Sequence, residues 1–133
     1  MSAKVFVDSN ICLYSFDNNE SRQSIALQLL AEKPVISSQV LNETAAVCIG
    51  KWNMKPKEVK RYIELLISKC EVEDYLPSTA ISAFDLLDQY SFSWWDSLIV
   101  ASALISECLM LYTEDMQDGL VVNKSLTIKN PFT

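Results

Sequence analysis

The chain reads as an α/β protein, a three-layer α/β/α sandwich built on a short, mostly parallel sheet. Three observations carry that reading. Brief apolar runs alternate along the chain with stretches of helical periodicity. The runs are too short and too uniformly apolar for strands with one wet face, so they belong to a sheet covered by helices on both sides. The composition, 50% hydrophobic and 21% charged over 133 residues, is that of one ordinary globular core, and residues 1–133 are read as a single domain.

Taken in order, Lys4–Val7 is a short apolar strand that ends at Asp8. Asp8, Ser9 and Asn10 offer side-chain oxygens to cap a short helix around Ile11–Ser15. Glu20–Glu32 follows as a helix that Pro34 stops, and Val35–Ser37 is a brief second strand. Ser38 is placed to cap a helix over 39–50, with Gly50 at its C-terminal end. Pro56 opens an amphipathic helix to about Ser68, with Val59, Tyr62, Ile63, Leu66 and Ile67 on one side. Cys70–Tyr75, with alternating charges, is a third strand at a sheet edge, and Pro77–Tyr90 is a helix. Ser93–Asp115 is a helix followed by a short strand. Only Ser102 is polar between Leu98 and Ile105, so that helix is buried on most of its circumference. Leu126–Ile128 is the last strand.

Composition excludes several chemistries. The chain has no histidine, which removes imidazole bases and histidine-ligated zinc, so acid-base or metal chemistry must run on carboxylates. Its two glycines, Gly50 and Gly119, cannot build a phosphate-cradling loop. The cysteines at 12, 48, 70 and 108 lie far apart in apolar segments and read as reduced, buried thiols of a cytoplasmic protein. No cationic and apolar leader opens the chain, and the longest apolar run, Leu98–Leu111, is interrupted and short of the roughly 20 residues of a bilayer span.

In a parallel sheet functional groups gather beyond the carboxyl ends of the strands. Asp8 ends the first strand, Glu43 lies early in the helix after the second, Asp96 opens the buried helix and Asp115 follows the next strand, so all four fall at one edge. Crowded carboxylates repel and raise one another's pKa unless a cation neutralises them. Oxygen ligands without His or Cys point to Mg²⁺ or Mn²⁺, and such a site suits phosphodiester hydrolysis. Each acid alone has a plainer reading. Asp8 can be only a helix cap, Asp96 the acid of a capping box begun by Ser93, Asp115 and Asp118 turn residues, and Glu43 a solvated side chain. Their joint placement favours the metal site. Trp94 and Trp95 read as packing or interface anchors.

The ordered set VFVDSN at 5–10, S-x-x-x-x-E at Ser38–Glu43, WDSLIVASA at 95–103 and YTEDMQDG at 112–119, with TIKNPF closing the chain, resembles the PIN-domain nucleases, in particular the VapC-type toxins of bacterial toxin-antitoxin pairs. The resemblance implies a metal-dependent endoribonuclease in which Asp8, Glu43, Asp96 and Asp115 match the acidic quartet that binds Mg²⁺ or Mn²⁺. Asn10 and Thr113 match supporting positions, and Asp118 is a further candidate that acts through water. It also implies an RNA substrate, transfer RNA among the candidates, a homodimer, and a cognate antitoxin that covers or enters the acidic pocket.

A net charge of −6 needs reconciling with RNA. Six of eleven basic residues (Lys51, Lys55, Lys57, Lys60, Arg61 and Lys69) fall between 51 and 69, either a phosphate track or a solvated helix face. Two rivals stand beside the nuclease. An aspartyl phosphatase wants a second acid two residues after Asp8, where Asn10 stands. A catalytically inactive module would use the acidic pocket only to dock a basic partner segment.

Overall fold

The computed structural model describes residues 4–133, so residues 1–3, on which the reading of the chain's start partly rests, lie outside the described part. The elements run β1 (Val5–Val7), α1 (Ser9–Tyr14), α2 (Glu20–Ala31), β2 (Val35–Ser37), α3 (Ser38–Gly50), α4 (Pro56–Lys69), β3 (Glu71–Glu73), α5 (Pro77–Gln89), α6 (Trp94–Ile105), β4 (Met110–Tyr112), β5 (Val121–Val122) and β6 (Leu126–Lys129). The sheet order is β3-β2-β1-β4-β6-β5, with every pairing parallel except β5 against β6. The mostly parallel sheet flanked by helices is the fold the alternating pattern predicts.

From β1 the chain steps outward through β2 to β3, then crosses back to place β4 on the other side of β1. Right-handed crossovers in opposite directions put their helices on opposite faces. The packing agrees: α1 lies against α2 and α3, and α3 against α4, while α5 packs on α6. The order therefore reverses at β1, and a crevice opens beyond its carboxyl end between β2 and β4. Asp8 stands there.

The core is the sandwich filling. Phe6, Ile36, Leu111 and Ile128 from four strands are fully buried, and α6 is buried without a break from Ser97 to Ala103. A helix enclosed over two turns is held in angle and depth by close packing, so the acid in its first turn is held as well.

Four local differences from the expected elements have physical causes. Helix α3 is capped by Ser37, whose Oγ accepts from Val40 N–H at 3.3 Å, one residue earlier than expected. Helix α1 begins at Ser9, directly after its cap Asp8. Strand β3 stops at Glu73 because the N–H of Tyr75 turns away to donate to Ser38 Oγ at 3.0 Å. Strand β5 was not expected at all. It pairs antiparallel with β6 through a three-residue connection, Asn123–Ser125, in which Asn123 and Lys124 have φ of 50° and 60°, the left-handed pair of a type I′ turn that Ser125 N–H closes on the Val122 carbonyl at 3.1 Å.

Candidate metal centre

Asp8 is the deepest of the acids, 4% exposed. Its extended backbone ends β1 and caps α1, and Ser9 N–H donates to its Oδ1 at 2.7 Å. Its Oδ2 accepts from the Thr113 hydroxyl at 2.9 Å. That hydroxyl in turn accepts from Asn10 Nδ2 (3.1 Å) and from Asp115 N–H (3.2 Å). Asn10 Nδ2 also donates to Asp115 Oδ2 at 3.0 Å, and Asn10 Oδ1 accepts from Glu114 N–H at 3.4 Å. Asn10 and Thr113, both buried, thus tie the turn after β4 to the start of α1 and set Asp115 beside Asp8. Neighbouring parallel strands bring these residues together across more than a hundred positions of chain.

Glu43 and Asp96 close the ring from the helices. Asp96 sits in the first turn of α6, its N–H donating to the cap Ser93 Oγ at 3.1 Å, which leaves the carboxylate half-buried. Glu43, one turn into α3, takes Gln39 Nε2 at 3.4 Å. Among the described residues no three acids converge tightly enough to chelate an ion as they stand. They face one another at electrostatic range instead, and the charges record it. Burial pushes the Asp8 carboxyl up to about 7, with Glu43 and Asp115 adding to the rise against the lowering by Ser9 and Thr113. Burial raises Glu43 too, with Asp96 and Asp115 adding to it, and burial likewise raises Asp96, with the charge of Asp115 adding to that rise.

A divalent cation fits this donor set. The ring is all oxygen, and its innermost carboxylate is desolvated. The one ion pair among the described residues, Lys4 with Glu71 at 4.0 Å, joins the opposite, amino-terminal edge of the sheet. Removing charge from water without a counter-charge is costly, so a buried carboxylate so placed is completed by a cation or by a proton.

Asp118 Oδ1 accepts from Asn130 N–H at 2.8 Å, which pins the segment after β6. At the rim stand residues that sequence reading did not single out. The Tyr14 hydroxyl donates to Glu114 Oε1 at 2.5 Å, Arg22 Nη1 reaches that hydroxyl at 3.2 Å, and Tyr14 is pushed up to about 12 by burial and by Glu114. Gln39, between Glu43 and the start of α6, was missed for a plain reason: a glutamine in an amphipathic helix carries no sequence signal. The six clustered basic residues are all exposed. The four cysteines are buried and unpaired. Among the described residues no helix is long and apolar enough to cross a membrane.

Two clefts flank the acids. One, of about 330 Å³, is lined by Asp96, Asp115, Tyr90 and Phe92, and the other, of about 580 Å³, by Glu43, Gln39, Tyr75, Trp94 and Trp95.

The chain can be set beside known proteins at this point. No curated protein sequence matches it significantly. Among solved structures it is similar to a toxin-antitoxin complex from Klebsiella pneumoniae (TM-score 0.72, 18% identity, covering 96% of this chain and 98% of that one). It is similar to a DNA-bound VapBC complex from Salmonella typhimurium (TM-score 0.72, 21% identity, 98% and 99% covered). It is also similar to a Mycobacterium tuberculosis VapC toxin that cleaves the sarcin-ricin loop (TM-score 0.67, 19% identity, 84% and 92% covered). These likenesses concern the fold. The PIN domain family model matches residues 5–117, a stretch that holds all four acids together with Asn10 and Thr113, and the chain therefore belongs to the PIN domain family.

Proposed function

We propose that the protein is a Mg²⁺- or Mn²⁺-dependent endoribonuclease and the toxin of a type II toxin-antitoxin pair. The observation that carries this reading is the desolvated Asp8 carboxylate, with Glu43 and Asp115 at electrostatic range and Asp96 next to them in turn, and with no cationic side chain paired to it among the described residues. Those four residues would hold the ion, which when bound activates water and offsets the charge that builds on phosphorus.

The chain's own contribution is positional. Thr113 and Asn10 fix Asp8 and Asp115 against each other, while the buried body of α6 holds Asp96 in place. Charge alone would expel a phosphodiester from this edge, so substrate entry depends on the cation and the acids would release RNA when it is stripped away.

The antitoxin partner is inferred from the toxin-antitoxin complexes among the similar structures, a homodimer from the resemblance, and a cytoplasmic location from the four reduced thiols. A basic segment of the antitoxin, arginine above all, would pair with the same carboxylates.

The test is cleavage of a structured RNA pool, transfer RNA included, by purified protein with Mn²⁺ or Mg²⁺, against EDTA and Asp96→Asn controls. Cutting that needs the metal and disappears in the variant supports the reading. Metal binding without cutting of any pool would reject the nuclease, and loss of both would leave an acidic module that docks a basic partner.

A further inference from the structure

Arg22, in the first turn of α2, stands beside the acidic edge without pairing to it. Its Nη1 donates to the Tyr14 hydroxyl at 3.2 Å, and its guanidinium carbon lies 4.9 Å from the centroid of the Tyr14 ring. That hydroxyl donates in turn to Glu114 Oε1 at 2.5 Å, and the charge of Asp115 acts on it as well. Phe132 braces the Tyr14 ring edge-on, with centroids 4.9 Å apart. A hydrogen bond and a braced ring therefore hold the guanidinium next to the turn that carries Asp115.

A guanidinium offers five N–H donors in a planar fork. Among the described residues the fork of Arg22 makes this one hydrogen bond and no ion pair, and the side chain is exposed, so a ligand can reach the rest of it. Tyr14 also lines an open cleft of about 480 Å³ together with Phe16, Lys51 and Trp52. Lys51, at the end of α3, is the first of the basic residues that continue along α4. Asp17, the acid that lines the same cleft, accepts from Asn18 N–H at 2.7 Å and is engaged in its own loop.

An RNA strand brings a phosphate with every nucleotide, and a metal ion at the acids offsets the charge only where the strand is cut. The neighbouring phosphates still meet the repulsion of the acidic edge. A guanidinium held in place matches a phosphodiester both in charge and in two-point hydrogen bonding. A basic protein segment would be repelled by Arg22, and an apolar one would leave its donors unpaired.

We propose that Arg22, held on Tyr14, is a positioning residue that grips a phosphate flanking the scissile one. The inference rests on the ribonuclease reading and adds to it the contact that lines the strand up on the acids.

The experiment reads binding and cutting separately. Binding is followed by fluorescence anisotropy of a short labelled oligouridine in Ca²⁺, from about 50 to 200 mM KCl, for wild type, Arg22→Gln and Arg22→Lys. Arg22→Gln should raise Kd about tenfold at the low-salt end. It should also flatten the slope of log Kd on log salt by about 0.7, the share of one phosphate on a single strand. Arg22→Lys should recover the slope, because the charge is back, but only part of the affinity, because the fork is not. Mn²⁺ affinity by calorimetry should be the same in all three proteins, which separates a substrate contact from a prop of the metal centre. An unchanged slope in Arg22→Gln would overturn the proposal. So would an equal loss in Arg22→Lys, or a Mn²⁺ affinity that falls along with RNA affinity.

On an RNA that the wild type cuts, a single uncharged methylphosphonate linkage is placed at successive positions around the cut. One position beside the cut should raise KM in the wild type and not in Arg22→Gln, and equal penalties in both proteins at every position reject the contact. If the wild type cuts no RNA, the nuclease reading fails separately and the salt slope decides for Arg22. A slope that flattens by about 0.7 in Arg22→Gln keeps it as a phosphate contact, and no change, or no binding by the wild type, rejects it.

Discussion

Replacing Asp8 by asparagine in metal-free protein should widen its stability advantage over the wild type as pH rises. Burial pushes this carboxyl from 3.8 up to about 7, so the folded state holds a proton that the unfolded chain releases. The contribution of such a group is fully present below its unfolded pKa and is lost as pH rises through the folded one. With those two values, the linkage relation makes the wild type lose about 2 kcal/mol through Asp8 between pH 5.5 and pH 8. Asparagine cannot ionise, so that loss is absent from the variant. It carries a separate cost that does not vary with pH. The Thr113 hydroxyl already accepts two N–H groups and donates to Asp8 Oδ2, so an amide N–H at that position strands its proton, at about 1–2 kcal/mol. Glu43 and Asp96 titrate in both proteins and largely cancel. Urea unfolding of both proteins at pH 5.5 and 8 in EDTA reads the difference directly. A gap between the two that stays constant with pH would refute the desolvation of Asp8. A gap that narrows as pH rises would mean that a neighbouring positive charge holds the carboxylate.

Thr113→Val keeps the shape of the residue but removes the hydroxyl shared by Asp8, Asn10 and Asp115 N–H. It should cost about 2–3 kcal/mol in urea unfolding and weaken Mn²⁺ affinity while the sheet stays intact by circular dichroism. Lys124→Gly should stabilise by about 1 kcal/mol, seen as a rise in Tm, because Lys124 now bears the left-handed φ of 60° that glycine adopts freely. The four buried thiols should resist a disulfide reagent in the native state and all react in urea, with Cys70 and Cys108 each pushed up to about 11 by burial.

Much of the fold was legible because its signals are local. Proline at the first turns of α4 and α5, apolar runs three to four residues long and a helix with almost no polar side chain each leave a pattern that needs no knowledge of partners. The same patterns put four acids at one sheet edge, since a strand's direction and the start of the next helix can be read from the chain alone. The β5–β6 hairpin was not legible. Its strand is two residues long, and its turn is Asn123-Lys124 where Asn-Gly would have announced it.

Residue identity, order and the all-carboxylate donor set were determined by the sequence itself, because composition decides which ligands and bases exist at all and local pattern decides where elements begin. Which acid is buried, and what holds it, only the tertiary structure decided. Asp8 and Asp115 both follow short apolar strands, yet Asp8 is buried and Asp115 exposed. The hydroxyl and amide between them come from residues more than a hundred positions apart, joined by the pairing of β1 with β4. Likewise Gln39 becomes an oriented, unpaired acceptor only when α6 brings the Trp95 carbonyl to it. Desolvation and hydrogen-bond satisfaction are properties of the space around an atom, and that space exists only once the chain has folded.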